Sequence, residues 1–120
     1  MALILITDDA AFTRRMIRKA LKDTDHVFLE AANGVECLDM LKSHSPDCIL
    51  LDLLMPEKDG FEVLQELQTQ GSTIPVIVLS ADIQESARTQ CMDLGAFMML
   101  KKPPKPPEIN GAIEKALNKE

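Results

Sequence analysis

Short apolar runs alternate with stretches of helical spacing five times along the chain. The runs are Leu3-Ile4-Leu5-Ile6, Val27-Phe28-Leu29, Cys48-Ile49-Leu50-Leu51, Val76-Ile77-Val78-Leu79 and Phe97-Met98-Met99-Leu100. The first, third and fourth are continuous rather than alternating, as expected of strands covered on both faces in a parallel sheet. Between them apolar residues recur three or four apart: Phe12, Met16 and Ala20, then Val35, Leu38 and Leu41, then Phe61, Leu64 and Leu67, then Ala87, Cys91 and Leu94, and after the last run Ile109, Ile113 and Leu117. That spacing predicts a helix after each strand, laying one stripe against the sheet.

The helix punctuation agrees. Asn33, Asp59 and Asp82 each precede a helical pattern and carry Glu36, Glu62 and Glu85 three residues on. In such a pair the first side chain accepts from an early backbone N–H and the Glu reaches back to the cap. Gly71 and Gly95 follow the third and fourth helices, where a left-handed stop residue is wanted. Pro106-Pro107 suits the opening turn of the fifth, where a missing N–H costs nothing. Five β–α units with right-handed crossovers predict an α/β fold on an open, doubly wound parallel sheet, with residues 1–120 as a single domain.

Composition then excludes whole classes of function. A chain of 120 residues with 46% hydrophobic and 27% charged residues is of globular make-up and long enough to fold without disulfides or metal. Thirteen basic against nineteen acidic residues leave a net charge of −6, the wrong sign for an electrostatic nucleic-acid binder. With four Phe and no Tyr or Trp, platforms for stacking bases are missing as well. The apolar stretch from Ala2 to Ile6 stops at Thr7-Asp8-Asp9, too short for a signal-peptide core or a membrane span, so a cytoplasmic protein is expected. Cys37, Cys48 and Cys91 are odd in number and widely spaced, and read as free buried thiols. His26 and His44 stand alone, without a second ligand at metal spacing.

Chemistry is expected at the carboxyl ends of the strands, where doubly wound sheets bind ligands. Asp8 and Asp9 follow the first strand, Asp52 the third, Ser80 the fourth, and Lys101 and Lys102 the fifth, while the second ends in Ala31-Ala32. Carboxylates gathered there would repel one another: at about 4 Å and an effective dielectric near 20, one pair costs roughly 4 kcal/mol. Either a proton or a cation must sit among them. A hard divalent ion prefers oxygen ligands, and Mg²⁺ characteristically combines one or two carboxylates with waters and a phosphate. With an ammonium and a hydroxyl opposite, these are the parts for phosphoryl transfer to a carboxylate.

Asp8-Asp9 after an apolar strand, Asp52-Leu53-Leu54-Met55-Pro56-Glu57-Lys58-Asp59-Gly60, Ser80-Ala81, and Lys102-Pro103 preceded by Gly95-Ala96 resemble the receiver domain of two-component response regulators, in its CheY-like single-domain form. The resemblance covers essentially the whole chain. It implies a five-stranded parallel sheet of order 2-1-3-4-5 and a signalling switch rather than an enzyme acting on other substrates. It further implies that Asp52 is the phosphoacceptor, charged by a histidine kinase or phosphotransfer protein. Asp9 would be the direct Mg²⁺ ligand, Asp8 its water-mediated helper, and the backbone carbonyl of Leu54 a further ligand. Ser80 takes the switch-hydroxyl position, and Lys102 the lysine before a cis proline. Slow hydrolysis of the acyl phosphate would reset the switch.

One position departs from the pattern: three residues before the lysine, where receivers usually carry Tyr or Phe, stands Met99. Methionine can fill the same gap but offers no phenolic hydroxyl, so Met99 reads either as edge-strand packing or as part of an adaptable output face. Leu54 and Asp82, two residues after Asp52 and Ser80, flank the expected path of attacking water; a leucine there predicts slow decay. Arg14, Arg15, Arg18, Lys19 and Lys22 make the first helix basic, either a solvated face or one that steers an acidic partner. The KKPPKPP stretch from Lys101 to Pro107 reads as a rigid turn.

Other readings fit less well. An aspartyl-nucleophile hydrolase would want a second acid near Asp52, where Leu53 and Leu54 stand. A flavin or nucleotide module would want a small-residue phosphate loop after the first strand, where two aspartates would repel phosphate. A purely protein-binding module would have no use for the acidic pair, acceptor, hydroxyl and lysine together. With no output domain in these 120 residues, the expected output is a protein contact made in trans by a monomer, without nucleic acid or membrane.

Overall fold

The computed structural model describes residues 1–81 and 84–118. Strands and helices alternate throughout: β1 (Leu3–Thr7), α1 (Ala11–Ala20), β2 (Val27–Ala31), α2 (Gly34–Met40), β3 (Cys48–Asp52), α3 (Gly60–Thr69), β4 (Val76–Ser80), α4 (Glu85–Asp93), β5 (Met98–Lys101) and α5 (Pro106–Leu117). The strands pair in parallel in the order β2-β1-β3-β4-β5. The order reverses between β1 and β3, so the ends of these two strands open the crevice in which such folds bind ligands.

Alternate residues of each central strand feed two separate cores, because successive strand side chains point to opposite faces. Leu5, Ile49, Leu51 and Val78 meet Cys37 of α2, Val63, Leu64 and Leu67 of α3, and Cys91 of α4. Ile4, Ile6, Leu50, Ile77 and Leu79 meet Ile17 of α1 and Ile109, Ile113 and Ala116 of α5. β3 and β4 are buried at every position and β1 at all but its first, as the continuous apolar runs predict. All three cysteines are buried free thiols.

The capping signals act largely as expected. Asn33 accepts from the N–H of Glu36, and Asp59 and Glu62 form a reciprocal capping box at α3. Gly71 and Gly95 adopt φ of +72° and +96° at the stops of α3 and α4. Pro106 and Pro107 open α5, where Glu108 reaches back to the N–H of Lys105. At α4 the N-cap position is held by Gln84, and the expected cap Asp82 lies outside the described residues.

Helix α1 does not bury the stripe that spacing predicts. Phe12 is 68% exposed, whereas Ile17 within α1 and Leu21 just after it enter the core. Both rows repeat every four residues. The row facing the sheet is the one that lets Arg14 and Arg18 reach Glu30 on β2. In α2 the deep residue is Cys37, while Val35 is exposed and Leu38 and Leu41 are half-buried.

Candidate functional site

The strand ends bring together most of the side chains that their sequence positions single out. Asp8 follows β1 and is 2% exposed, with all its polar groups engaged. Its N–H donates to the carbonyl of Ala31 (3.1 Å) and its own carbonyl accepts from Arg14 Nη1 (2.6 Å). Its Oδ1 accepts from the N–H of Ala10 (2.9 Å) and its Oδ2 from Lys102 Nζ (2.6 Å). The same ammonium lies 3.1 Å from Oδ1 of Asp52, the buried last residue of β3. Asp9 stands beside them, exposed. Asp8, Asp9 and Asp52 each offer an oxygen within 4.8 Å of the others.

The charges respond to this crowding. Burial pushes the Asp52 carboxyl above the ordinary aspartate value, and the Asp8 charge adds to the effect; Lys102 and the N–H of Leu54 pull the other way without cancelling it. Burial acts to lower Lys102, but its hydrogen bond to Asp8 and the charges of Asp52 and Asp8 outweigh this and leave the ammonium harder to deprotonate than usual. Both directions follow from like and unlike charges placed in a half-dry crevice.

Lys102 is held in place by its own backbone, whose N–H donates to the carbonyl of Ser80 (2.8 Å) at the end of β4. The bond from Lys102 to Pro103 is cis. Ser80 is buried at the same edge, and Lys101 points away into solvent, so Lys102 is the lysine of the site. In the loop after β3, Leu53 is buried and Leu54 is 73% exposed. Met99, at 5% exposure, belongs to the same buried core as Cys91 of α4, the placement expected of edge-strand packing.

Two contributors had no signal in the sequence. Arg14 reads there as one basic residue among five, yet its side chain turns inward and links Glu30 (2.8 Å) to the Asp8 carbonyl. Glu30, sixteen residues further on, also accepts from Arg18, which stacks over Phe28 at 5.3 Å. The remaining exposed face of α1 carries Phe12, Arg15 and Lys19 beside half-buried Met16. Among the described residues no helix is long and apolar enough to cross a membrane.

Comparison with known proteins shows the family and agrees with the fold. Residues 4–114 match the family model of the response regulator receiver domain. The chain is 39% identical over 116 residues to the chemotaxis protein CheY of Bacillus subtilis, covering 96% of this chain and 97% of that protein. It is 39% identical over 100 residues to the response regulator MprA of Mycobacterium avium, covering 83% of this chain but only 44% of the relative. The solved structure of Vibrio cholerae chemotaxis protein CheY4 superimposes with a TM-score of 0.90 at 27% identity, over 98% of this chain and 99% of that one. The chain belongs to the receiver-domain family of two-component response regulators, and its five-stranded 2-1-3-4-5 sheet is that of the CheY-like fold.

Proposed function

We propose that residues 1–120 act as one receiver domain that takes a phosphoryl group from a phosphohistidine onto Asp52 and thereby changes a protein-binding surface. The observation that carries this reading is the juxtaposition of three carboxylates within 4.8 Å of one another with a single ammonium 3.1 Å from Asp52. An oxygen-only donor set of this density suits Mg²⁺. Because Asp8 is committed to Ala10 and Lys102, the exposed Asp9 is the carboxylate available as a direct ligand. Asp8 would then act through water, with Asp52 and the Leu54 carbonyl completing the protein's share. When bound, the ion neutralises charge on the transferring phosphoryl oxygens.

The chain's own groups supply the remainder. An ionised Asp52 oxygen attacks phosphorus as the P–N bond of a phosphohistidine protonated on its other ring nitrogen breaks, leaving an aspartyl phosphate and a neutral imidazole. The Lys102 ammonium faces the oxygens on which charge collects, and Ser80 donates its hydroxyl to one of them. Water later cleaves the acyl phosphate to phosphate and the free carboxylate, so the protein turns over nothing but its own modification. The experiment is incubation with Mg²⁺ and a small acyl phosphate donor, followed by intact mass. A gain of one phosphoryl group that a chelator abolishes is the expected result; a mass unchanged under saturating donor contradicts the reading.

The partner that supplies the phosphoryl group is a histidine kinase or phosphotransfer protein docking on α1. Phe12 offers an exposed aromatic anchor framed by Arg15, Arg18 and Lys19, a surface that favours an acidic partner. Phe12→Ala and Arg15→Glu are expected to slow transfer from the cognate phosphohistidine protein about tenfold while uptake from the small donor is unchanged. Equal loss with both donors would place the defect in the site itself.

Lifetime is the last element of the reading. The exposed Leu54 side chain beside Asp52 offers no hydrogen bond to an attacking water, whereas an amide would. Leu54→Asn is expected to shorten the half-life of the modified form roughly threefold or more, measured as phosphate release after donor removal. Asp82, the other position on that path, lies outside the described residues.

A further inference from the structure

We propose that Arg14 is a positioning residue for the metal site: it clamps the peptide that carries the acidic pair to strand β2, and without it the cation is held less tightly. The inference rests on reading Asp8, Asp9 and Asp52 as the Mg²⁺ site. Asp8 and Asp9 sit in the short crossing from β1 to α1, where no strand or helix ladder holds the peptide that joins them. Asp8 is held from outside on both sides of its Cα, and only the second contact reaches the peptide that joins it to Asp9. The Ala31 carbonyl at the end of β2 accepts the Asp8 N–H, and the Arg14 guanidinium donates to the Asp8 carbonyl at 2.6 Å.

The guanidinium does not float there. Its Nε donates to Glu30 Oε1 at 2.8 Å, and its side chain is only 17% exposed. Glu30 is held in turn by Arg18, which lies against the Phe28 ring. Glu30, Phe28 and Ala31 all belong to β2, so a chain of contacts runs from β2 through Arg14 to the carbonyl of a site residue. A planar fork presents its donors to both acceptors in fixed, spread directions; a lysine ammonium is a compact charge on a flexible stem without that preorganised reach.

Charge alone argues for the opposite effect, and this makes the role testable. A guanidinium beside a cation site repels the cation, so a purely electrostatic Arg14 would weaken metal binding and its removal would tighten it. A positioning Arg14 gives the reverse sign. Arg14→Lys separates the two further, since it keeps the charge and loses the fork.

The test is the dissociation constant of Mn²⁺, a spectroscopically visible probe for the hard-cation site, titrated into the unphosphorylated full chain. Urea melts in chelator accompany it, to record stability without metal. Arg14→Gln and Arg14→Lys are expected to weaken Mn²⁺ about tenfold, the order found when groups that orient metal ligands are removed. Arg18→Gln, which spares the contact to Asp8, is expected to stay within about twofold. Should Arg14→Gln fail to fold, Arg14→Lys and Glu30→Gln carry the test, the latter with an intermediate loss. Unchanged or tighter Mn²⁺ binding in the folded Arg14 variants overturns the proposal while leaving the metal site standing. Absence of Mn²⁺ binding by the wild-type chain overturns the site reading and the proposal with it.

Discussion

Replacing Lys102 with methionine is expected to destabilise the metal-free protein by about 3 kcal/mol, the order found when one partner of a buried ion pair is removed. The ammonium neutralises two carboxylates at once, Asp8 at 2.6 Å and Asp52 at 3.1 Å, and Asp8 is 2% exposed. Without it, two negative groups face each other in a crevice that water enters poorly. The deficit should shrink in two ways that share one cause. Added Mg²⁺ supplies the missing positive charge, and acid supplies a proton to Asp52, whose carboxyl already binds protons more readily in the fold than in the unfolded chain.

The sign of the pH effect follows from that direction. A carboxyl raised in the folded state favours folding while it is protonated, and the advantage disappears as pH rises through its folded value. Lys102→Met strengthens this dependence by removing the cation beside Asp52 that opposes it. Urea melts at pH 5 and pH 8, with and without Mg²⁺, should therefore show the largest gap to wild type at the higher pH in chelator. A gap independent of pH and metal would mean that Lys102 acts through packing alone. Phosphoryl uptake should fall about hundredfold in the same variant, because a donor aimed at developing oxygen charge is lost.

Gly60→Ala is expected to be strongly damaging, lowering stability by about 3 kcal/mol and slowing phosphoryl uptake. A Cβ at residue 60 would lie 2.5 Å from the backbone oxygen of Asp52 and 2.8 Å from Cα of Leu53. Both obstacles are main chain and cannot rotate away, and the Gly60 N–H is already bonded to the Leu53 carbonyl at 2.9 Å. Relief requires moving the end of β3, which carries Asp52, or the start of α3 against it. Gly111→Ala is the control: a Cβ there meets nothing within 4 Å inside helix α5, and removing a helical glycine should stabilise by about 0.5–1 kcal/mol. Equal effects at the two positions, in urea melts and in uptake rate, would refute the steric account.

How much of this could be read from the residues alone depends on the range of the interactions involved. The strands were legible because β3 and β4 are covered on both faces and so carry unbroken apolar runs. The candidate site was legible because four of the five runs end at polar residues, and a parallel sheet puts those ends on one edge: Asp8, Asp52, Ser80 and Lys102. The helix faces were less so. In α1 two rows of apolar residues compete, and the choice of Ile17 over Phe12 depends on what β2 presents to Arg14 and Arg18. Met99 was open to two readings because burial at an edge strand is set by the helix packed over it, here α4. The Arg14–Glu30 link had no local trace, since its partners lie on different elements, sixteen residues apart.

The central claim is that one carboxylate, Asp52, bears the phosphoryl group, and chemical mapping of the modified residue tests it most directly. The protein is exposed to Mg²⁺ and a small acyl phosphate donor, reduced with borohydride and digested for peptide mass analysis. Reduction converts an aspartyl phosphate to homoserine, and the conversion is expected at residue 52 in wild type and nowhere in Asp52→Asn. Homoserine at residue 8 or 9, or a phosphoryl group that resists reduction and persists in Asp52→Asn, would contradict it.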